Sequence, residues 1–286
     1  MSKEKKESTE VAEIKAGALA TAEFMDMADF GGQGFEGTDK DSYAIPFIQI
    51  LQKMSPQVDE DDPKHIEGAK PGMFLNTVTG KVFDGREGLQ IIPCAFRRTF
   101  IHWGNRKGSG DGGFKGEYTP EEVKAMKDDG KLIELKGKLW FPSEDGTVDT
   151  DENDYVADTR SHFIMVIEPD GTVSQTLLPL SSTQIKASKV LMTALSNRKV
   201  DTPAGRKTPP TFANIVRMRT RGMSNEHGSW SGVEFSLEGL VSNADIYQDA
   251  RDFYRSVQAG DVNVDHNRQE RSVDEVSETP EDADNF

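Results

Sequence analysis

The chain has 286 residues, of which 35% are hydrophobic and 29% charged, and a formal net charge of −15. It holds no apolar run near the about 18 residues of a membrane span and no apolar signal core behind its first lysines and glutamates. Its single cysteine, Cys94, excludes an internal disulfide and a multi-cysteine zinc site.

The charge is unevenly placed. Residues 1–42 carry 5 Lys and Arg against 10 Asp and Glu, residues 261–286 carry 2 against 9, and residues 43–260 carry 27 against 30. Most of the excess sits on the ends, so an acidic molecule can still present a locally basic surface. The pattern predicts a flexible acidic arm over 1–42, a folded domain over 43–260 and a disordered acidic tail over 261–286.

In the arm, Glu10–Met27 can form a short helix, and Gly31-Gly32-Gln33-Gly34 breaks regular structure. Strands are expected at Ile45–Leu51, with Pro46 at its start or on an edge, at Gly72–Thr79, and at Val82-Phe83 beyond a tight turn. Gly88–Trp103 is the longest β-rich stretch; Pro93 marks a bend or bulge in it, and Cys94 reads as a buried thiol. A glycine-rich loop follows over Gly104–Gly116. Thr119-Pro120-Glu121-Glu122 is a helix start, and that helix runs to about Asp128. Lys131–Phe141 reads as a strand and Ser143–Asp158 as an acidic loop. His162–Glu168 and Thr172–Leu178 form a hairpin around Pro169-Asp170-Gly171. Ser181 and Ser182 cap a helix reaching Asn197, with Ile185, Leu191, Met192 and Leu195 on its apolar face. Arg198–Pro210 is a basic loop, Phe212–Arg221 and Trp230–Leu240 pair as strands, and Ala244–Gln258 is a last amphipathic helix. Roughly eight to ten short strands that do not alternate with helices disfavour a doubly wound sheet. The fold class expected is mainly β, an antiparallel, oligonucleotide-binding-like (OB-like) barrel with inserted and C-terminal helices.

Two segments mix cations with aromatic rings or cluster cations on one face. Phe96–Trp103 alternates in phase, so Arg97 and Trp103 share one strand face while Arg98 and Phe100 share the other, and Arg106 and Lys107 follow in the glycine loop. Single-strand binders need this combination: cations to follow phosphates, rings to stack bases, glycines to admit a backbone. A barrel strand with core aromatics and exposed arginines has the same pattern. Residues 160–221 carry 10 basic groups against 3 acidic. The basic groups are Arg160, Lys186, Lys189, Arg198, Lys199, Arg206 and Lys207, then Arg217, Arg219 and Arg221 on one face of a strand. An anionic partner would relieve that last repulsion; a solvated edge kept from aggregating by charge is the other reading. Trp230 either stacks a base or fills the core.

Enzyme chemistry finds no ligand set. The five histidines form no metal-binding spacing, the glycine loop lacks a Lys-Ser/Thr pair, and Asp145–Asp154 does not match a calcium loop. No catalytic residue, metal or cofactor is expected.

From Ser272 the tail carries six carboxylates, Asp274, Glu275, Glu278, Glu281, Asp282 and Asp284, no Lys or Arg, and ends on Phe286. The terminal ring beside its own α-carboxylate is an apolar plug with a charge attached. This arrangement resembles the tails of bacterial and bacteriophage single-stranded DNA-binding proteins. The core segments Pro46-Phe47-Ile48-Gln49-Ile50-Leu51, Asn76-Thr77-Val78-Thr79-Gly80 and Gly228-Ser229-Trp230 resemble uncharacterised phage proteins from replication and recombination gene clusters. The resemblance implies an OB-type protein that coats single-stranded DNA without sequence preference in the host cytoplasm. Its tail would recruit a polymerase, helicase or recombinase and compete with DNA for the groove; a homo-oligomer is compatible with it. The alternative is an acidic interaction or scaffold protein, or a DNA mimic that inhibits a host protein, and the two separate on the salt dependence of DNA binding.

Overall fold

The computed structural model describes residues 34, 36, 37, 45–105, 112–168, 171–203, 205–225 and 228–268. Of residues 1–43 it describes Gly34, Glu36 and Gly37, where the Gly34 N–H donates to the Glu36 carboxylate at 2.9 Å. The arm's helix, Arg106, Lys107 and the tail carboxylates through Phe286 lie outside the described residues.

Three short strands, β1 (Ile48–Ile50), β2 (Phe74–Asn76) and β3 (Val82–Phe83), form an antiparallel sheet. The chain then enters β4 (Leu89–Gly104), β5 (Gly113–Tyr118) and helix α1 (Pro120–Asp128). The hairpin β6 (Ile133–Leu135) and β7 (Lys138–Trp140) follows, then β8 (Tyr155–Ile167), β9 (Val173–Ser181) and helix α2 (Ile185–Asn197). A small hairpin, β10 (Val200–Thr202) and β11 (Gly205–Lys207), leads to β12 (Asn214–Asn225), β13 (Gly228–Leu240) and helix α3 (Ala244–Ala259). Eight strands make one curled, half-barrel sheet in the order β13-β12-β4-β8-β7-β6, with β5 paired to β4 and β9 to β8. The mainly β, antiparallel, barrel-like class expected from the sequence is the class observed.

β4 is the spine. It pairs with β8 from Gln90–Ile167 to Trp103–Tyr155, with β12 over Leu89–Ile91, and with β5 over Phe100–Gly104. The register shifts between Pro93 and Ala95, which is the bulge that Pro93 suggested. Proline has no N–H to give a ladder, and β12 leaves β4 at Ile91, just before it.

Two cores lie on opposite faces of this sheet. On one face α2 buries Leu191 and Leu195 against Ile91, Ile164, Leu178, Leu180, Val216 and Met218. On the other, α3 buries Ala250, Phe253 and Val257 against Ile92, Cys94, Ala95, Phe163 and Met165. Asn243 caps α3 by accepting from the Asp245 and Ile246 N–H groups, and Gly260 ends it at φ 81. At α1 the sequence signature forms a full capping box: Thr119 Oγ1 accepts from the Glu122 N–H at 3.2 Å, and the Glu122 carboxylate accepts from the Thr119 N–H at 2.7 Å.

Four local readings change. The Lys131–Phe141 strand is a hairpin, turned at Lys136 and Gly137 with φ of 50 and 68, the positive values a two-residue turn needs. The glycine loop ends in β5, and the basic loop contains β10 and β11. β8 begins at Tyr155, so Asp158 and Arg160 are strand residues. The fold also continues past residue 260. Val262 and Val264 join the α3 core, and His266, 3% exposed, lies between the rings of Phe47 (6.0 Å) and Phe114 (5.1 Å).

The edge strand β13 is covered by side-chain amides that imitate a neighbouring strand. Gln52 accepts from the Ser231 N–H at 2.8 Å and donates to the Ser231 carbonyl at 2.9 Å, while Gln184 accepts from the Val233 N–H at 3.0 Å.

The turn into β4 is set by backbone contact. Gly88 has φ 76, and a Cβ there would lie 2.3 Å from the Met218 carbonyl oxygen. Gly146, at φ 80, opens onto empty space. Gly146→Ala therefore carries only the left-handed cost of about 1–2 kcal/mol. Gly88→Ala adds overpacking of about 1–3 kcal/mol. Denaturant unfolding of the two variants measures the difference; equal losses would mean that the β4–β12 approach is slack.

Candidate nucleic-acid interface

The β4–β8 register alternates, so one face of the ladder carries Phe96, Arg98, Phe100 on β4 and His162, Arg160, Asp158, Val156 on β8. Helix α2 covers one end of this face, where His162 Nε2 meets Ser188 Oγ at 2.7 Å. Helix α1 covers the other, where Val123 packs with Phe100, Leu132 and Val156. Between the helices the face is uncovered. The gap is a cleft of about 670 Å³.

Its floor is apolar, built from Phe100, Val123, Leu139, Val156 and Ile185. Its walls are cationic: Arg98 and Arg160 from the sheet, Lys124 and Lys127 from α1, Lys138 from β7 and Lys189 from α2, against Asp128, Glu134 and Asp158. Arg98 and Arg160 stand directly opposite each other across the ladder. One carboxylate serves both: Asp158 accepts from Arg98 Nε at 3.1 Å and Nη2 at 2.7 Å, and from Arg160 Nη2 at 3.2 Å. The Arg98 guanidinium lies 5.0 Å from the Phe100 ring centroid, a cation–π contact at the lip of the floor. Lys127 is paired with Glu134 at 2.6 Å.

Three of the residues singled out by sequence, Arg98, Phe100 and Lys189, line this cleft. Lys186 is exposed on α2 but is not among the lining residues. The others are elsewhere. Arg97 lies on the opposite face, donating to the Val257 carbonyl in the last turn of α3 and sitting 5.3 Å from the Phe163 ring. There it acts as a cation at a helix C-terminus. Trp103 is 4% exposed and packs with Ile101, Trp140 and Tyr155, so it is core and has no face for a base. Trp230 is half-buried, with an indole N–H that is buried and finds no acceptor among the described residues.

Arg217, Arg219 and Arg221 share one face of β12, as their phase requires, but β13 already relieves their repulsion. Arg217 binds Glu238 at 2.8 Å, Arg219 stands opposite Glu234 in register, and Arg221 lies 4.0 Å from Glu234. Arg217 and then Gln90 hold the Glu238 carboxyl below its ordinary range. Arg217 pairs with Gln90 on β4, which puts this ladder on the sheet face away from the cleft. Arg198 donates to the Gly239 carbonyl at 3.0 Å, and Lys199 to Thr208 at 2.5 Å. Arg206 and Lys207 are exposed on β11, Arg206 being 3.3 Å from Asp201.

The basic block of residues 160–221 is thus divided between two faces. Sequence phase does not select Lys124, Lys127 or Lys138, and Arg160 counts in the basic block without a strand phase, falling between the acidic loop that ends at Asp158 and the hairpin strand expected from His162. The alternation Val156, Asp158, Arg160, His162, Ile164 carried that signal. Among the described residues no cluster of three metal-ligating side chains forms, and no helix is long and apolar enough to cross a membrane.

Burial pushes His162 down to about 4, and it also lowers His102 despite its hydrogen bond to Asp154 at 3.0 Å. An unfolded His protonates near 6.5, so the folded state binds fewer protons between about 4 and 6.5. The stability from neutral His162 is complete above pH 6.5 and is lost as pH falls toward 4. Thermal melts should show Tm dropping across that window, and His162→Gln should flatten the drop. An unchanged slope in the variant would mean that the imidazole is not desolvated by the α2 contact.

A family model described as Pam3 phage gp34-like protein matches residues 14–263, a span that includes every strand, the three helices and every residue of the cleft. No curated protein and no solved structure matches the chain. The chain belongs to the Pam3 phage gp34-like family.

Proposed function

We propose that this phage protein binds single-stranded DNA and that the cleft between α1 and α2 holds the strand. The observation that carries the proposal is the combination in one cleft of an apolar, ring-bearing floor and six Lys and Arg against three Asp and Glu. An unpaired base offers an apolar face to such a floor while its phosphates meet the walls. A duplex keeps its base faces stacked inside and meets only the walls. The floor residues Phe100, Val123, Leu139, Val156 and Ile185 carry no side-chain donor or acceptor that could read a base edge, which suits sequence-tolerant coating in phage replication or recombination.

The tail beyond Ser272 completes the proposal as a recruiting segment for a polymerase, helicase or recombinase in the host cytoplasm. Its six carboxylates also suit the cationic walls when DNA is absent. Such a contact is weak and screened by salt, because the tail loses entropy on docking and its ion pairs are exposed.

Fluorescence anisotropy with oligo-dT and a matched duplex, across a salt series, tests this. Single strands are expected to bind more tightly, with affinity falling steeply as salt rises. Lys189→Gln should lower the salt slope by about one unit per lost phosphate contact. Arg219→Ala should leave it unchanged, since that side chain stands in the β12–β13 ladder. Equal preference for duplex would contradict the cleft's role. No DNA binding at any salt would leave the acidic interaction or DNA-mimic reading.

Removing residues 272–286 should tighten binding to oligo-dT, most at low salt. An unchanged affinity there would reduce the tail to a solubilising extension.

A further inference from the structure

Resting on that reading, we infer that the cleft contains one built phosphate position, at Arg160 and Ser182, beside a base position on the apolar floor at Leu139 and Ile185. It therefore grips one nucleotide of the strand as a unit.

Two cross-strand arginines share one carboxylate, so the Arg98–Asp158–Arg160 group keeps a positive charge after its own ion pairs are made. Like charges placed directly opposite in a sheet repel, and a second anion would balance the pair. Arg160 is the more enclosed of the two, its side chain 16% exposed against 42% for Arg98. Its Nε is buried and finds no acceptor among the described residues. A guanidinium N–H left in this state is costly, and such groups call for a ligand or an ion.

The same cleft holds a second such atom. Ser182 Oγ is buried without a partner among the described residues, and Ser182 lines the cleft. Its backbone sits at φ 49, in the left-handed region that a serine enters at a cost. The two residues are neighbours through the ladder: Arg160 pairs with Leu180 on β9, and Ser182 lies two positions further along the chain. A phosphodiester oxygen accepts from a guanidinium Nε–H and from a hydroxyl, and charge-assisted bonds of this kind are the strong ones. Lys189, in the second turn of α2, adds a cation to the same wall. The base attached to that phosphate then meets Leu139 and Ile185, the half-buried part of the apolar floor, since Phe100 and Val156 are themselves buried.

The test uses the full chain and two probes, thymidine 5′-monophosphate read by thermal shift and oligo-dT read by anisotropy. Thymidine and inorganic phosphate serve as part-ligand controls. The monophosphate should raise Tm more than either control at equal concentration. Arg160→Lys keeps the charge but loses Nε, and Ser182→Gly removes the hydroxyl while easing the backbone, so the second variant stays folded. Each should abolish the monophosphate shift, and Arg160→Lys should weaken oligo-dT binding about tenfold. If wild type binds oligo-dT and both variants match it with both probes, the phosphate position is overturned and the coating role stands. If wild type binds the monophosphate through Arg160 and Ser182 but binds no oligomer, the phosphate position stands and the coating role falls.

Discussion

The pairing of β4 with β8, from Gln90–Ile167 to Trp103–Tyr155, fixes nearly everything else in the molecule. Among the described residues it brings the longest strand, β4, against β8, which β13 equals in length. It also commits alternate residues of both strands to opposite faces, so α3 takes one face and α2 the other. The Pro93 bulge is a necessary part of this arrangement, since it lets Ile92, Cys94 and Ala95 all reach the α3 core. Burial there pushes the Cys94 thiol up to about 12, which removes it from any reactive role at neutral pH.

The cleft follows from the same ladder. The face toward α2 is apolar at Ile164 and again at Phe100 and Val156, and charged between them at Arg98, Asp158 and Arg160. A helix can bury the apolar ends but not the charged middle, because desolvating two guanidiniums and a carboxylate costs more than a helix face returns. Two helices with a gap between them is the packing that this strand pattern permits. The gap inherits an apolar floor from the helix contacts; its cations are Arg98 and Arg160, which neither helix could cover, joined by Lys124 and Lys127 of α1, Lys138 of β7 and Lys189 of α2.

Much of this was legible in the residues. The capping box at Thr119, the bulge at Pro93 and the antiparallel class all rest on local rules that tertiary packing did not override; the helix after Ser182 also forms, but neither Ser181 nor Ser182 makes the side-chain cap expected of it. The charge argument was half legible. Counting found the basic block of residues 160–221, yet a count has no face. Arg217, Arg219 and Arg221 were read as an unrelieved row because nothing local shows that Glu234 and Glu238 lie on the adjacent strand. The charged middle of β8 is hidden for a different reason: Arg160 counts in the basic block but falls between the acidic loop and the expected hairpin strand. The acidic run before Tyr155 resembles a loop, and its last carboxylate was assigned to that loop, although it sits within the ladder. Trp103 was legible as an aromatic but not as core, since its burial depends on Trp140 arriving from the β6–β7 hairpin.

The central claim is a location: single-stranded DNA lies across the β4–β8 face between α1 and α2. Ultraviolet cross-linking of the full chain to oligo-dT, followed by peptide mapping, measures that location without any substitution. The account predicts adducts in the peptides that carry Arg98–Phe100 and Val156–Arg160, with others on α1. Adducts confined to β12 and β13 would place the strand on the opposite face, and would contradict it.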